Sequence, residues 1–372
     1  MNFGDVKTII KRAAEEAGFD LSGVAPASDA RDLEYFPPWI AAGHAGEMKY
    51  MESRDEQGEL KRASLARVAP WAKSVIVCGI NYNTAHPYST QCNDPDRGWI
   101  SRYAWSQEDY HDAVLRRLKQ VEARLHEVWE GPDGNAAGEH VWGGNTCPPT
   151  LTTRSYVDTG PIVERVFAKY AGIGWVGKNT CIINQKKGSW LFLGVILTSL
   201  ELDPDLPAPD RCGTCTRCIE ACPTDAILGP YQLDSNRCIS YLTIEKRGSI
   251  AEDLREGVGR HVFGCDICQD VCPWNRKAPA TAASEFQSRP ELVNPALAWL
   301  AEITTEDFRE TFRGSPVRRT KRSGLRRNAV IAMGNSQNKD FLPLLDKLTV
   351  DDDLSISEAA EWAQSRLLDA TK

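Results

Sequence analysis

The sequence predicts a multidomain protein of mixed class, α+β or α/β, with a cysteine-rich middle and an all-helical end. Three observations carry this. Strand-like and helix-like patterns alternate up to about residue 200. Eight cysteines then lie between 212 and 272, and beyond Pro273 cysteines cease while helical periodicity takes over. The expected units are 1–205, 206–280 and 281–372, and the stretch 201–210, with three prolines, marks the first boundary. A chain of 372 residues has room for two or three cores. Its 42% hydrophobic and 26% charged content is that of a soluble globular protein. No apolar run approaches the ~20 residues that span a bilayer. The first residues, Met1 to Asp5, carry neither a signal-peptide pattern nor a twin-arginine pair, so no membrane association and a cytoplasmic location are expected.

In chain order, residues 4–17 form an amphipathic pattern with Val6, Ile9, Ile10, Ala13 and Ala14 on one face. A strand is expected over 19–25. Ser74–Asn81, an apolar β-rich run with polar flanks, reads as a buried strand. Residues 108–129 repeat helically through Val114, Leu115, Leu118, Val121, Leu125 and Val128. The Gly- and Pro-rich stretch 131–153 reads as an irregular loop. A short strand over 155–158 should lead through Asp158-Thr159-Gly160-Pro161 into a helix that starts at Pro161 and stops at Gly172. Residues 181–184 and 189–198 are expected to pair as a hairpin around Lys186-Lys187-Gly188. Apolar stripes at 328–333, 341–348 and 357–368 predict a small helical-repeat module of HEAT type. Ser355-Ile356-Ser357-Glu358 fits a capping box that opens its last helix.

The first cysteine run is Cys212-x-x-Cys215-x-x-Cys218-x-x-x-Cys222-Pro223. The second is Cys265-x-x-Cys268-x-x-x-Cys272-Pro273, with Cys238 between them. Short gaps bring three thiolates to three corners of one iron–sulfur cube, while the cysteine before proline serves the other cube. The expected allocation is therefore crossed. Cys212, Cys215, Cys218 and Cys272 hold one 4Fe-4S cluster, and Cys222, Cys238, Cys265 and Cys268 hold the second. Tetrahedral zinc has no use for a third evenly spaced cysteine or the trailing Cys-Pro. A disulfide framework requires an oxidising compartment. Cys78, Cys92, Cys147 and Cys181 have no partner at ligand spacing and read as free thiols.

Net charge is −7, which argues against indiscriminate nucleic-acid binding, yet 313–327 holds seven basic residues and no acidic one. Such a run suits one polyanion docked in one place, and equally suits a solvated linker. Two clusters move electrons without doing substrate chemistry, so the first 200 residues must carry an acceptor. No Gly-x-Gly-x-x-Gly follows a strand. Asp109-Tyr110-His111 begins like a cobalt-ligating Asp-x-His-x-x-Gly loop, but Val114 occupies the glycine position. The residues alone point to an electron-fed redox enzyme and leave its cofactor open.

Several segments together resemble the epoxyqueuosine reductase family. They are Gly46-Glu47-Met48-Lys49-Tyr50-Met51, Ser101-Arg102-Tyr103-Ala104 with Asp109-Tyr110-His111, and Val157-Asp158-Thr159-Gly160-Pro161. The run from Ala171 through Gly174-Trp175-Val176-Gly177-Lys178-Asn179 belongs with them, as do both cysteine runs, Arg237-Cys238-Ile239-Ser240-Tyr241-Leu242-Thr243 and Arg327-Asn328-Ala329-Val330. The sequence departs from the family pattern in the long 131–153 loop and in Ser106-Gln107-Glu108. The resemblance implies a nitroreductase-like cobalamin domain, a double-cluster ferredoxin-like domain and a helical module that contacts tRNA. It implies reduction of epoxyqueuosine to queuosine at the tRNA wobble position, with electrons from an external donor such as ferredoxin or flavodoxin.

Asp158 matches the family's proton donor; an aspartate before Thr-Gly-Pro also reads as a cap or turn residue. Arg62, Tyr103, His111, Asp158, Lys178, Asn179, Ile182 and Leu193 fall in the segments that resemble the cobalamin pocket. The basic run offers Arg318, Arg319, Lys321, Arg326 and Arg327 as tRNA contacts. A cobalamin-dependent dehalogenase and an electron-transfer subunit are the competing readings. The missing leader and the aspartate disfavour the first; the long N-terminal region disfavours the second.

Overall fold

The computed structural model describes residues 3–130, 141–142, 145–146 and 150–369. Its central sheet has four strands, in the order Leu21–Pro26, Ser74–Asn81, Leu191–Thr198 and Thr153–Tyr156, all antiparallel. This places the N-terminal unit on the α+β side of the expected class. Every residue of Ser74–Asn81 is buried, because the strand is central and covered on both faces. On one face the helices Phe3–Glu16 and Tyr110–Glu130 bring Val6, Ile10, Ala14, Val114, Leu118 and Val121 against Ile76, Cys78 and Ile196. On the other, Val166, Phe167 and Ala168 of the Glu164–Tyr170 helix cover Val75, Val77, Val195 and Leu197. Each such aliphatic side chain contributes about 1.5–3 kcal/mol by leaving water. Gly194 makes the first contact possible: a Cβ there would stand 2.7 Å from Leu118.

Some expectations are corrected. The helix after Asp158 starts at Glu164, not Pro161, because Asp158 turns left-handed at φ 55° and the chain needs a further turn. It ends as expected before Gly172, at φ 74°. Residues 184 and 188 do close a turn, but the expected hairpin does not form. Ile182–Ile183 pairs with Trp175–Val176, while Leu191–Thr198 joins the central sheet. Ser355 does not cap the last helix; that helix starts at Leu354, and the Asp353 carboxylate accepts the Ser355 N–H at 3.0 Å. The 131–153 loop lies mostly outside the described residues, which there include the pair Val141–Trp142 and Asn145–Thr146 and residues 150–153.

The C-terminal helices Leu297–Glu302, Thr305–Thr311, Lys321–Asn335, Leu342–Leu348 and Leu354–Asp369 pack around Lys321–Asn335, which is buried from Gly324 to Gly334. Their core is not separate. Ile100, Ala104 and Trp105 share it with Ile239, Leu242, Val262, Phe263 and the helical end. The short strand His261–Phe263 also pairs in parallel with Trp99–Ile100, which ties the cysteine region to the first unit. Among the described residues no helix is long and apolar enough to cross a membrane.

Candidate active site and cysteine centre

The eight cysteines gather into two groups. Burial pushes Cys218 up, and Cys212 and Cys215 beside it add to the effect. Cys272 is raised to about 11 by burial, then by Cys212 and Cys218. In the second group Cys238 is raised by burial and by Cys222, and Cys265 by burial, Cys238 and Cys222. Cys268 is held up first by a hydrogen bond with Cys181 and then by burial, with Cys265 and Cys238 close by. Cys212, Cys215, Cys218 and Cys272 thus neighbour one another, as do Cys222, Cys238, Cys265 and Cys268, with Cys181 beside Cys268. Backbone N–H groups point at the sulfurs: Ala226 donates to Cys222 Sγ at 3.3 Å, and the amides of Ser240, Tyr241, Ile267 and Trp274 serve Cys238, Cys265 and Cys272. Such donors stabilise thiolate charge. Neither group closes to the spacing of a single ion; among the described residues no three His, Cys, Asp or Glu side chains do. Of the other cysteines, Cys78 is buried and pushed to about 12 by that burial, and Cys147 lies outside the described residues.

The Gly-Trp segment straps the sheet to this centre. Trp175 meets Trp274 edge-on at 5.1 Å and packs with Cys272. Lys178 Nζ donates to the carbonyls of Gly213 and Cys215 at 2.7 and 3.0 Å. Asn179 Nδ2 donates to the Cys268 carbonyl at 3.1 Å. The side-chain nitrogens of Lys178 and Asn179, expected at the cofactor, are bonded here to cluster-loop carbonyls. Ile182 is likewise a core residue, and Leu193 is half-buried in the same apolar layer.

Asp158 occupies an exposed loop after Thr153–Tyr156, with its side chain 68% accessible. Its left-handed backbone is one an aspartate tolerates. It caps no helix. Its carboxylate accepts the Tyr110 hydroxyl at 2.8 Å and lies 3.9 Å from His111 Nε2. His111 Nδ1 is 2.7 Å from Asp109 Oδ1. Burial lowers the His111 pKa, but the Asp109 hydrogen bond and charge outweigh it, so the net direction is upward. Tyr110 is held well above an ordinary phenol by burial and then by Asp158. It stacks on His111 and Phe192 at 4.0 and 4.4 Å and meets Tyr103 edge-on at 6.0 Å. Arg62 is nearly buried and braces the loop by donating to the carbonyls of Tyr50 at 2.5 Å and Gly160 at 3.0 Å. The result is an open carboxylate before an aromatic wall, with a tyrosine hydroxyl and a histidine ring set against it. Tyr110 was visible in the Asp-Tyr-His motif but had no signal marking it as an Asp158 partner. Glu164 and Tyr50 were also missed.

The basic run divides. Arg318, Arg319 and Lys321 are exposed. Arg319 pairs with both Glu245 oxygens at 2.8 and 3.0 Å and lies over the Tyr50 ring at 5.4 Å, while Arg62 lies 5.7 Å from that ring. Arg326 and Arg327 are corrected as tRNA contacts. Arg326 donates to the Ala301 carbonyl at 2.7 Å and Asp351 at 2.6 Å. Arg327, 1% exposed, donates to the carbonyls of Leu242, Lys246 and Gly248. A guanidinium inside a fully packed helix has to be satisfied internally, and these two are.

Comparison with known proteins follows this geometry. Residues 211–275 match a family described as a 4Fe-4S double cluster binding domain, and residues 62–159 match one described as Epoxyqueuosine reductase QueG. An epoxyqueuosine reductase of Synechocystis sp. is 42% identical over 312 residues, covering 82% of this chain and 98% of the relative. A crystal structure of an epoxyqueuosine reductase with an epoxyqueuosine-modified tRNA-Tyr stem loop superposes with a TM-score of 0.83 at 29% identity, covering 98% of this chain and 91% of the other. The enzyme from Bacillus subtilis, seen with its catalytic aspartate loop swung out of the active site, gives 0.82 at 29% identity, with the same coverage of 98% and 91%.

Proposed function

Because the chain belongs to the epoxyqueuosine reductase family, we propose that it reduces epoxyqueuosine to queuosine at the wobble position of tRNA, in the cytoplasm, and that Asp158 is its proton donor. The observation that carries this is the open Asp158 carboxylate, hydrogen-bonded by Tyr110, in a unit whose Lys178 and Asn179 are bonded to the loops that carry two groups of four cysteines. Those groups would hold two 4Fe-4S clusters, Cys212, Cys215, Cys218 and Cys272 the first, Cys222, Cys238, Cys265 and Cys268 the second. A ferredoxin or flavodoxin would supply their electrons. Gathered, mostly half-buried thiols, with Cys218, Cys238, Cys265, Cys268 and Cys272 disfavoured as lone thiolates and several sulfurs faced by amide donors, fit that use.

Tyr103, His111 and Asp158 would hold cobalamin, with Arg62 fixing the loop; a half-exposed aromatic wall beside a carboxylate fits a flat macrocycle. When bound, cobalamin supplies a strongly reducing, nucleophilic metal. The chain's own residues do the rest. Arg62 fixes the Asp158 loop through Gly160. Tyr110 orients the carboxyl, and the wall keeps water from one side of it. Asp158 delivers a proton to the oxygen released as the epoxide opens. Exposed Arg318, Arg319 and Lys321 would receive tRNA phosphates near the Tyr50 rim. On this reading 1–205 is the catalytic unit, 206–280 the electron relay and 281–372 a HEAT-like module contacting tRNA, the last two sharing a core.

The test is anaerobic incubation of the iron-loaded protein with reductant, cobalamin and epoxyqueuosine-containing tRNA, followed by nucleoside mass analysis. Loss of one oxygen from the modified base is expected. An unchanged base under those conditions rejects the proposal.

A further inference from the structure

The two cysteine groups lie at different depths. Around Cys212, Cys215 and Cys218 the flanking residues Arg211, Gly213, Thr214, Thr216 and Arg217 are all exposed. Around Cys265 and Cys268 the flanking Gly264, Asp266 and Gln269 are buried. The deeper group also abuts the Asp158 site. A Cβ on Gly264, next to Cys265, would stand 3.5 Å from Tyr103, and Tyr103 meets Tyr110 edge-on. The Asp266 carboxylate holds the same two segments together by accepting the Ser101 hydroxyl and the Arg102 N–H, the latter at 2.6 Å. The first group thus faces solvent and the second faces the site.

We propose that the surface around the first group is where a one-electron carrier protein with an acidic face docks. The proposal rests on the reading above that the two groups hold 4Fe-4S clusters. Arg211 and Arg217 stand beside Cys212 and Cys218. Trp274 packs with Cys212 and Cys272, and Arg276 and Lys277 follow it on the surface. The Asn184–Gly188 turn, which carries the exposed Lys186, is held to this segment by the Ser189 N–H, which donates to Asn275 Oδ1 at 2.7 Å. Among the described residues none of these five cations has an ion pair or a side-chain hydrogen bond. The carboxylates nearby are mostly engaged. Asp210 accepts the Tyr231 hydroxyl and the Cys212 N–H, and Glu220 accepts the Thr216 hydroxyl, which leaves the exposed Asp225. On a chain of net charge −7, such a local surplus of unengaged positive charge steers an acidic partner to one face. Leu228 and Tyr231 share a hairpin at its rim and are 51% and 44% exposed. The Tyr231 N–H bonds the carbonyl of Lys178, whose Nζ holds the 213–215 loop. Redox encounters bury little area, so a few apolar side chains suffice to seat the partner. A docked carrier such as reduced flavodoxin gives one electron at a time. Its flavin hydroquinone becomes the semiquinone as an oxidised cluster gains the electron, and two such transfers supply the pair that opening the epoxide consumes.

The test is stopped-flow mixing of the full-length, iron-loaded protein with flavodoxin hydroquinone, reading cluster bleaching and semiquinone formation together. The second-order rate should fall about 10-fold or more in the triple variant Lys186→Glu, Arg276→Glu, Lys277→Glu, and should fall in wild type as salt rises. Photoreduced deazaflavin, a small reductant that needs no docking, should reduce both proteins alike. Reversing three exposed cations of the helical end, Arg309, Arg313 and Lys347, changes net charge equally and should leave the flavodoxin rate unchanged. If the triple variant loses iron, Arg276→Gln with Lys277→Gln makes the same comparison at smaller amplitude. Equal flavodoxin rates in variant and wild type overturn the proposal, as do a rate indifferent to salt and a wild type that flavodoxin does not reduce. If deazaflavin cannot reduce wild type either, the cluster reading itself fails; if it can, only the docking face falls.

Discussion

Asp158 combines a left-handed backbone, an exposed carboxylate and a tyrosine hydroxyl at 2.8 Å. Asp158→Asn keeps the size and much of the hydrogen bonding but brings no acidic proton. We expect normal tRNA binding and turnover reduced about 10²–10⁴-fold, the usual weight of a general acid. Wild-type turnover in nucleoside assays of this variant would reduce Asp158 to a turn residue. Glu164 makes a separate prediction for stability. Its carboxyl is raised from 4.5 to about 7 in the folded chain, so across that interval the folded state keeps a proton that the unfolded state has released. Stability from this group is present below the unfolded value and is lost as pH rises toward 7. Thermal melts of Glu164→Gln between pH 4.5 and 7 should show a smaller decline than wild type. A parallel decline removes the assignment. At this scale the sequence was legible where chemistry is local, as in the cysteine spacings. It was silent where partners are distant: nothing near Asp158 in the chain announces Tyr110, and nothing around Lys178 announces the Gly213 carbonyl.

The Lys321–Asn335 helix shows why composition misleads about elements. Its charges look like a solvated face, yet the helix is buried on all sides and Arg327 cross-links it to the 242–248 segment. Replacing Arg327 by Met leaves three carbonyls unpaired and should cost roughly 2–4 kcal/mol in denaturant melts. A melt indistinguishable from wild type would show that water satisfies them. The Ser74–Asn81 strand was readable because both its faces are covered and its apolar run is continuous. The pairing of Ile182–Ile183 was not, since a two-residue strand has no pattern to read. Cys238 opens the Ile239–Ile244 helix far from its group in sequence, and Cys222 and Cys265 stand near it. Anaerobic reconstitution of Cys238→Ala should damage the second cluster and spare much of the first, leaving about half of the eight irons that two cubes hold. A full complement with unchanged spectra would strike Cys238 from the set.

Across the whole molecule, the exposed part of the basic run reaches toward the Asp158 site through Arg319 and Tyr50. Changing Arg318, Arg319 and Lys321 to Ala should weaken stem-loop binding and reduce its salt slope by roughly one per lost phosphate contact, with iron content unchanged. An unaltered slope in anisotropy titrations would move the RNA elsewhere. The parallel pairing of Trp99–Ile100 with His261–Phe263 has a consequence in time. A ribosome has to add about 160 residues after the first strand before the second exists. At ~5–20 residues per second that is roughly 8–30 s during which Ile100 and Trp105 await their cover. The first cysteine run and Cys238 emerge within the same interval, whereas Cys265, Cys268 and Cys272 follow the closing strand, so neither group of four is complete until the segment that covers Ile100 and Trp105 has been made.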